Sequence, residues 1–186
     1  MKYVLYKFAT VAGALLLTAS FAVAAPEQGG GLAQQRVSKS IRKALVTLPF
    51  YGVFDNLAYQ VNGDTVTLSG QVVRPSTRQD AERRVSRING VGRVVNQIEV
   101  LPLSSFDDSI RARAYRTVFN TAGLYRYAMG ANPSIHIVVN RGQLTLEGVV
   151  GSKADSQFAE VAARQVSGVF SVTNNLLVEG REGRAR

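Results

Sequence analysis

The sequence predicts an α+β protein made of two tandem α-β-β-α-β modules, each a small mixed three-stranded sheet covered by two helices. Three observations lead there. First, the stretch Val61 to Val100 returns without a gap 78 positions later, at Val139 to Val178. Thr67-Leu68 recurs as Thr145-Leu146, Gly70 as Gly148, Ala81-Glu82 as Ala159-Glu160, Gly90-Val91 as Gly168-Val169, and Asn96 as Asn174. Second, each copy carries period-two alternation around a turn, Asn62-Gly63-Asp64 or Asn140-Arg141-Gly142, which reads as a β-hairpin. Third, each hairpin is followed by apolar residues at helical spacing, an end at Gly90 or Gly168, and a further apolar run.

Residues 1–24 read as a secretory signal peptide. Lys2 and Lys7 precede the apolar run Phe8 to Leu17, and Ala22-Val23-Ala24 is a small-x-small cleavage site. The run is shorter than the roughly 20 apolar residues a spanning helix needs. Residues 25–35, with Gly29-Gly30-Gly31, read as a flexible linker.

The first module is assigned to residues 36–103. Val37, Ile41, Ala44 or Leu45, and Leu48 make one helical stripe, with Arg36, Lys39, Arg42 and Lys43 mainly off it, and Pro49 stops the helix. The connection Phe50-Tyr51-Gly52-Val53-Phe54 has two readings. Its rings cover the end of the sheet, or they form an exposed apolar lip that touches a partner. The first is favoured, because packed aromatics outnumber exposed ones. Leu57, Tyr59 and Val61 alternate with polar residues, and Val66 and Leu68 return. The greasy face of this hairpin needs a cover. The next helix supplies it through Ala81, Val85 and Ile88, capped at its start by Ser76 with Gln79, or by Thr77. Arg78, Arg83, Arg84 and Arg87 load its other sides. Val91, Val94, Ile98 and Val100 supply a third strand, parallel to the one before the crossover helix.

The second module is assigned to residues 104–180 and repeats this order. Asp107 and Asp108 open its first helix, whose inner side holds Ile110, Ala114, and Val118 or Thr117. A longer connection, Leu124 to Pro133, holds Tyr125, Arg126, Tyr127 and Met129. Ile135, Ile137 and Val139 open the hairpin. Ser152 and Asp155 start the covering helix, and Val172, Leu176 and Val178 close the module. Residues 181–186 read as a polar tail. Each module is small, and no disulfide supports it, so a shared apolar interface between the modules is expected.

The order of helix, "VTLSGQV" or "LTLEGVV", a helix holding "DAE" or "FAE", and then "INGVGRVVNQIEV" or "VSGVFSVTNNLLV" resembles the BON domain. The likeness spans about Arg36 to Glu179. It implies an exported, non-enzymatic module of the bacterial envelope that binds phospholipid or other envelope surfaces, often linked with osmotic stress or envelope integrity. Gly70, Gly90, Gly148 and Gly168 match the family glycines, whereas Gly92 is replaced in the second copy by Phe170. The lipidated cysteine and the peptidoglycan-binding module that some relatives carry have no counterpart in this sequence.

Chemistry is sparsely signalled. The chain of 186 residues has no cysteine, which removes disulfides, thiolate metal sites and cysteine nucleophiles. His136 is the one histidine. It stands between Ile135 and Ile137 and is expected on the polar face of its strand, with too few partners for a metal site or a general-base dyad. No G-x-S-x-G motif occurs. No catalytic residue, metal site or cofactor is expected. The formal charge is +9, and without Lys2 and Lys7 the chain keeps 20 basic against 13 acidic residues. That balance suits an anionic partner. Export to the periplasm disfavours nucleic acid and leaves anionic phospholipid or another envelope surface, with peripheral attachment, and envelope proteins as a second class of partner. The alternative is a periplasmic protein–protein adaptor that touches no lipid. The candidate contact residues are Arg111, Tyr115, Arg116, Tyr125, Arg126, Tyr127 and Met129, because tyrosine suits a wet apolar boundary. Phe50, Tyr51 and Phe54 form a second candidate set.

Overall fold

The computed structural model describes residues 28–121, 123–130 and 132–179; the expected signal peptide and polar tail lie outside them. The first module runs α1 (Gln28–Val46), β1 (Asn56–Asn62), β2 (Thr65–Val72), α2 (Pro75–Val85), β3 (Arg93–Asn96) and β4 (Glu99–Val100). The second runs α3 (Ser105–Phe119), a 3-10 helix (Leu124–Ala128), β5 (Ile135–Asn140), β6 (Gln143–Val150), α4 (Lys153–Arg164), β7 (Ser171–Asn174) and β8 (Leu177–Val178). The α+β class and the doubled module order are as the repeat predicts. The 3-10 helix occupies the longer connection and has no counterpart in the first module.

In both modules the second hairpin strand is central. β2 pairs antiparallel with β1 and parallel with β3 and β4, and β6 repeats this with β5, β7 and β8. The third strand is broken into two short pieces by an asparagine. Asn96 Oδ1 accepts from Ile98 N at 3.1 Å, while its Nδ2 donates to Glu82 at 2.9 Å and to Arg78 O on α2. Asn174 does the same with Leu176 N, Glu160 and Ser156 on α4. The repeated Asn and Glu therefore play the same part in both copies. They satisfy the backbone at the break and tie it to the covering helix.

Two pairs of positions show why the copies differ where they do. Gly70 and Gly148 have φ of 109° and 117°, and a Cβ there would stand 2.1 Å from Asn56 O or 2.0 Å from Ser134 O. Both the torsion and the space demand glycine. Gly92 lies against the Asp64 side chain. In the second module the two exchange bulk, with Gly142 beneath the ring of Phe170. The loss of Gly92 in the repeat is thus a swap of side chain and space across one contact.

Two expectations are corrected. Residues 28–35, read as flexible linker, lie within α1. The helix is anchored downstream by Ile41 and Leu45, and its first half projects as an extension that exposes Leu32. At α2 neither Ser76 nor Thr77 caps the helix. Arg74 is the N-cap residue and Pro75 opens the first turn, where its missing N–H costs nothing. Thr77 is instead fully buried. Ser152 and Ser104 do cap α4 and α3, accepting from Asp155 N and Asp107 N at 3.1 Å.

Each module has its own core. Ile41, Leu45, Val66, Leu68, Ala81, Val85 and Ile98 fill the first; Ile110, Ala114, Leu124, Ile135, Ile137, Leu144, Leu146, Ala159 and Ala163 lie in the second. Val53 and Phe54 belong to the first module by sequence yet pack on the core of the second. The shared apolar interface is real, and a short connection makes it.

Candidate functional site

The connection between α1 and β1 builds the junction. Asp55 is buried and accepts from Val73 N at 2.7 Å and Gly52 N at 3.0 Å, which fixes the bend. Burial nevertheless pushes its carboxyl above the ordinary value of 3.8. The bend lays Gly52 and Val53 along the outer edge of β5. Ile137 N donates to Val53 O at 2.7 Å, and His136 Nδ1 donates to Gly52 O at 3.2 Å. The Tyr51 ring lies 5.4 Å from the His136 ring. Burial is the chief cause of the raised Tyr51 hydroxyl, at about 12, and it holds His136 below 6.5.

The expectation that His136 lies on a polar face is corrected: it is 8% exposed, and Val138 beside it is also buried. Both faces of β5 are covered, one by its own helices and the other at the junction. A signal existed in the sequence. Val138 stands where the first copy has Gln60, so β5 lacks the alternation of β1.

Beside the junction lies an open cleft of about 430 Å³. Val53, Phe54 and Val73 line it from the first module, and Asp108, Arg111, Ala112, Tyr115 and Arg116 from α3. Phe54 meets the Tyr115 ring edge-on at 6.3 Å, and Tyr115 meets Phe119 at 5.0 Å. Arg116 is exposed at the rim.

The first candidate set does not act as one patch. Arg111 is 3% exposed. Its guanidinium donates to Asp108 at 2.5 Å and to Val139 O at 2.6 Å, so it ties α3 to β5 rather than facing a partner. Its place in the stripe with Ala114 and Val118 foretells this burial. Tyr127 is also buried. Its hydroxyl donates to Asp155 at 2.9 Å and accepts from Gly151 N at 2.8 Å. Arg126 is exposed but pairs with Asp155 at 2.8 Å and lies over the Tyr127 ring. Hydrogen bonds, the Ser152 hydroxyl first, hold the Asp155 carboxyl below its ordinary range. Tyr125 and Met129, at 63% and 66% exposure, are the two members of the 3-10 connection that stand free.

The second set divides as well. Phe50 is 65% exposed, in a left-handed conformation (φ 64°), with the Arg74 guanidinium 4.6 Å above its ring. Tyr51 and Phe54 are consumed by the junction. Neither reading of the aromatic connection holds for all its rings: the partner that Phe54 touches is the other module.

Sequence reasoning assigns Asp107 only to the helix start. The structure buries it, and its carboxylate accepts from Arg141 N at 2.9 Å and Gly142 N at 2.8 Å. Arg141 has φ 52° where the first copy has Gly63, and Asp107 holds this unfavourable turn in place. Exposed apolar side chains also gather in the second module in a way period counting does not reveal. Phe106 stacks on Phe170 at 5.8 Å, and Phe158 and Val161 project from α4.

Charge and apolar exposure are unevenly shared. Residues 36–103 hold ten basic against five acidic side chains, and 104–180 hold seven against six. Among the described residues, no helix is long and apolar enough to cross a membrane, and no cluster of three or more His, Asp and Glu could hold a metal ion.

The fold and its surfaces define a tandem α+β module protein whose conspicuous features are exposed rather than enclosed. The BON domain family model matches residues 34–102 and 107–180, and the chain belongs to the BON domain family. No curated protein matches the chain. Among solved structures, the C-terminal domain of CdsD, a structural protein of the type III secretion system of Chlamydia trachomatis, is similar at 11% identity and a TM-score of 0.29. The match covers 75% of this chain and 96% of that one. A further CdsD structure gives 11% identity and a TM-score of 0.28, covering 79% and 95%.

Proposed function

We propose that this chain is a non-enzymatic binding protein of the bacterial envelope, exported to the periplasm, that adheres to anionic phospholipid surfaces and supports envelope integrity under stress. The observation that carries the reading is the pairing of unbalanced positive charge with exposed apolar side chains on one small protein. Each basic residue near an anionic surface contributes about 1 kcal/mol. Apolar insertion adds to that, and two weak signals together give useful attachment where one does not. Tyr125 and Met129 supply insertion, with Arg116 and Tyr115 beside the cleft, and Phe50 with Arg74 offers the same chemistry on the first module. Arg111 and Tyr127 act inside the fold. BON domain membership supports an envelope-binding role at the coarser level.

Co-sedimentation with vesicles tests the reading. Binding should require phosphatidylglycerol and fall with added salt, because exposed charges are screened within about 10 Å at 0.1 M ionic strength. Arg116→Glu and a Tyr125→Ser, Met129→Ser double variant should each weaken it without changing the melting temperature. Equal binding to neutral vesicles, or binding to neither kind, would rule the proposal out. Arg111→Glu is no probe of the surface, since it breaks a buried contact.

A further inference from the structure

The two modules are copies, yet the outer edges of their sheets meet different fates. In each hairpin a two-residue turn fixes which residues pair across the ladder, so alternate residues of the outer strand turn their N–H and C=O away from it. On β5 two such groups are satisfied: Ile137 N by Val53 O, and Val139 O by Arg111. On β1 the corresponding residues are Leu57, Tyr59 and Val61. Among the described residues, nothing pairs with Tyr59 on that side, and β2 is the one strand that bonds β1.

This edge also lacks the usual protection. Its sequence, NLAYQVN, has no charge and no proline. An uncovered edge of this kind is a template for another strand. A groove of about 400 Å³ runs beside it, lined by Leu45, Val46, Leu57 and Tyr59 with Arg42 at its rim. The helix alongside, α1, has no Asp or Glu anywhere between Gln28 and Val46.

The segment laid along β5 meets that edge through one backbone bond, from Ile137 N to Val53 O, and then turns, with Asp55 N donating to Gly52 O at 3.1 Å. It presents a bulky apolar side chain and an acid in succession, Phe54 and Asp55. We infer that the β1 edge and its groove bind an extended segment of a partner protein by strand addition, with a bulky apolar side chain in the groove and carboxylates against α1. Main-chain bonds to Tyr59 give affinity, and the groove with its basic rim gives selectivity. A second copy of this chain is a poorer occupant. Its equivalent stretch, Gly130 to Pro133, has Asn132 and Pro133 where Phe54 and Asp55 stand, so it carries neither the ring nor the acid.

The test is a titration of the processed, nitrogen-15-labelled chain with an acetylated peptide carrying Gly-Val-Phe-Asp between glutamates. The Tyr59 and Val61 amide signals should shift and their hydrogen exchange should slow about tenfold or more. Arg42→Glu should weaken binding about tenfold, as expected for reversing a rim charge. Of two peptides N-methylated at alternate residues, one should bind and the other should not, because strand pairing has a period of two. An unmoved Tyr59 amide at saturating peptide, or equal binding of both N-methylated forms, would overturn the inference. So would the same shifts on concentrating the chain alone, which would make a second copy the occupant. The same shifts with phosphatidylglycerol vesicles would instead assign the groove to the lipid surface.

Discussion

Replacing Phe54 by alanine probes the junction between the modules. Truncating a fully buried phenylalanine costs about 3–5 kcal/mol. Phe54 is half-buried, between the Tyr115 ring and the core of the second module, so the cost should be about 2 kcal/mol. For a unit the size of the second module 1 kcal/mol moves the melting temperature by about 4–8 °C, so its shift should be roughly 8–16 °C. Its location is the informative part. The residue is carried by the first module, but its contacts belong to the second, so the loss should appear in the unfolding of the second. Calorimetry of the processed chain gives the size, and hydrogen exchange at Ile135 and Leu146 gives the location. A double variant with Tyr115→Ala should cost less than the two single changes summed, because they remove one shared contact. A loss below about 0.5 kcal/mol, the level of an ordinary surface change, or one confined to the first module, would refute this account of the junction.

Further outcomes follow from the same geometry. Gly148→Ala should destabilise by at least about 3 kcal/mol, read by urea denaturation, because the new Cβ meets backbone at Ser134 and the torsion disfavours it. His136 is held neutral by burial, with a folded pKa below 6.5, so the unfolded chain binds the extra proton as pH falls through 6.5. Its contribution is intact above that value and is lost as pH falls toward the folded pKa. Asp55 acts in the opposite sense. Its pKa is raised above 3.8, so the penalty of burying it is absent below 3.8 and grows as pH rises through its folded value. Denaturant melts between about pH 7.5 and pH 5 should therefore show stability falling toward acid. His136→Phe should flatten that slope, and an unchanged slope would show that the histidine does not report on the junction.

Much of the fold is legible in the sequence because its signals are local. The repeat, the two turns, the helical stripes, the cap at Ser152 and the acidic helix start at Asp107 each depend on residues close together in the chain. Less of the site is legible, because its contacts cross between modules. Period-two alternation of Ile135, Ile137 and Val139 sends His136 outward; the docked Tyr51 to Phe54 segment covers it instead, and Val138 is the local sign of that cover. The spacing of Arg111 with Ala114 and Val118 points inward, but its partner, Val139 O, emerges only once α3 and β5 lie side by side. The break in the third strand has the same character. Asn96 and Asn174 are visible as repeated letters, but their bonds to Glu82 and Glu160 need the helix and strand side by side.

Two copies of one fold are put to unequal use, with the edge of the second closed by the first and the edge of the first left open. Residue-resolved hydrogen exchange on the unliganded chain measures this directly. The Ile137 amide, bonded to Val53 O, should exchange far more slowly than the Tyr59 amide at the equivalent position. Equal protection at the two, or faster exchange at Ile137, would contradict it.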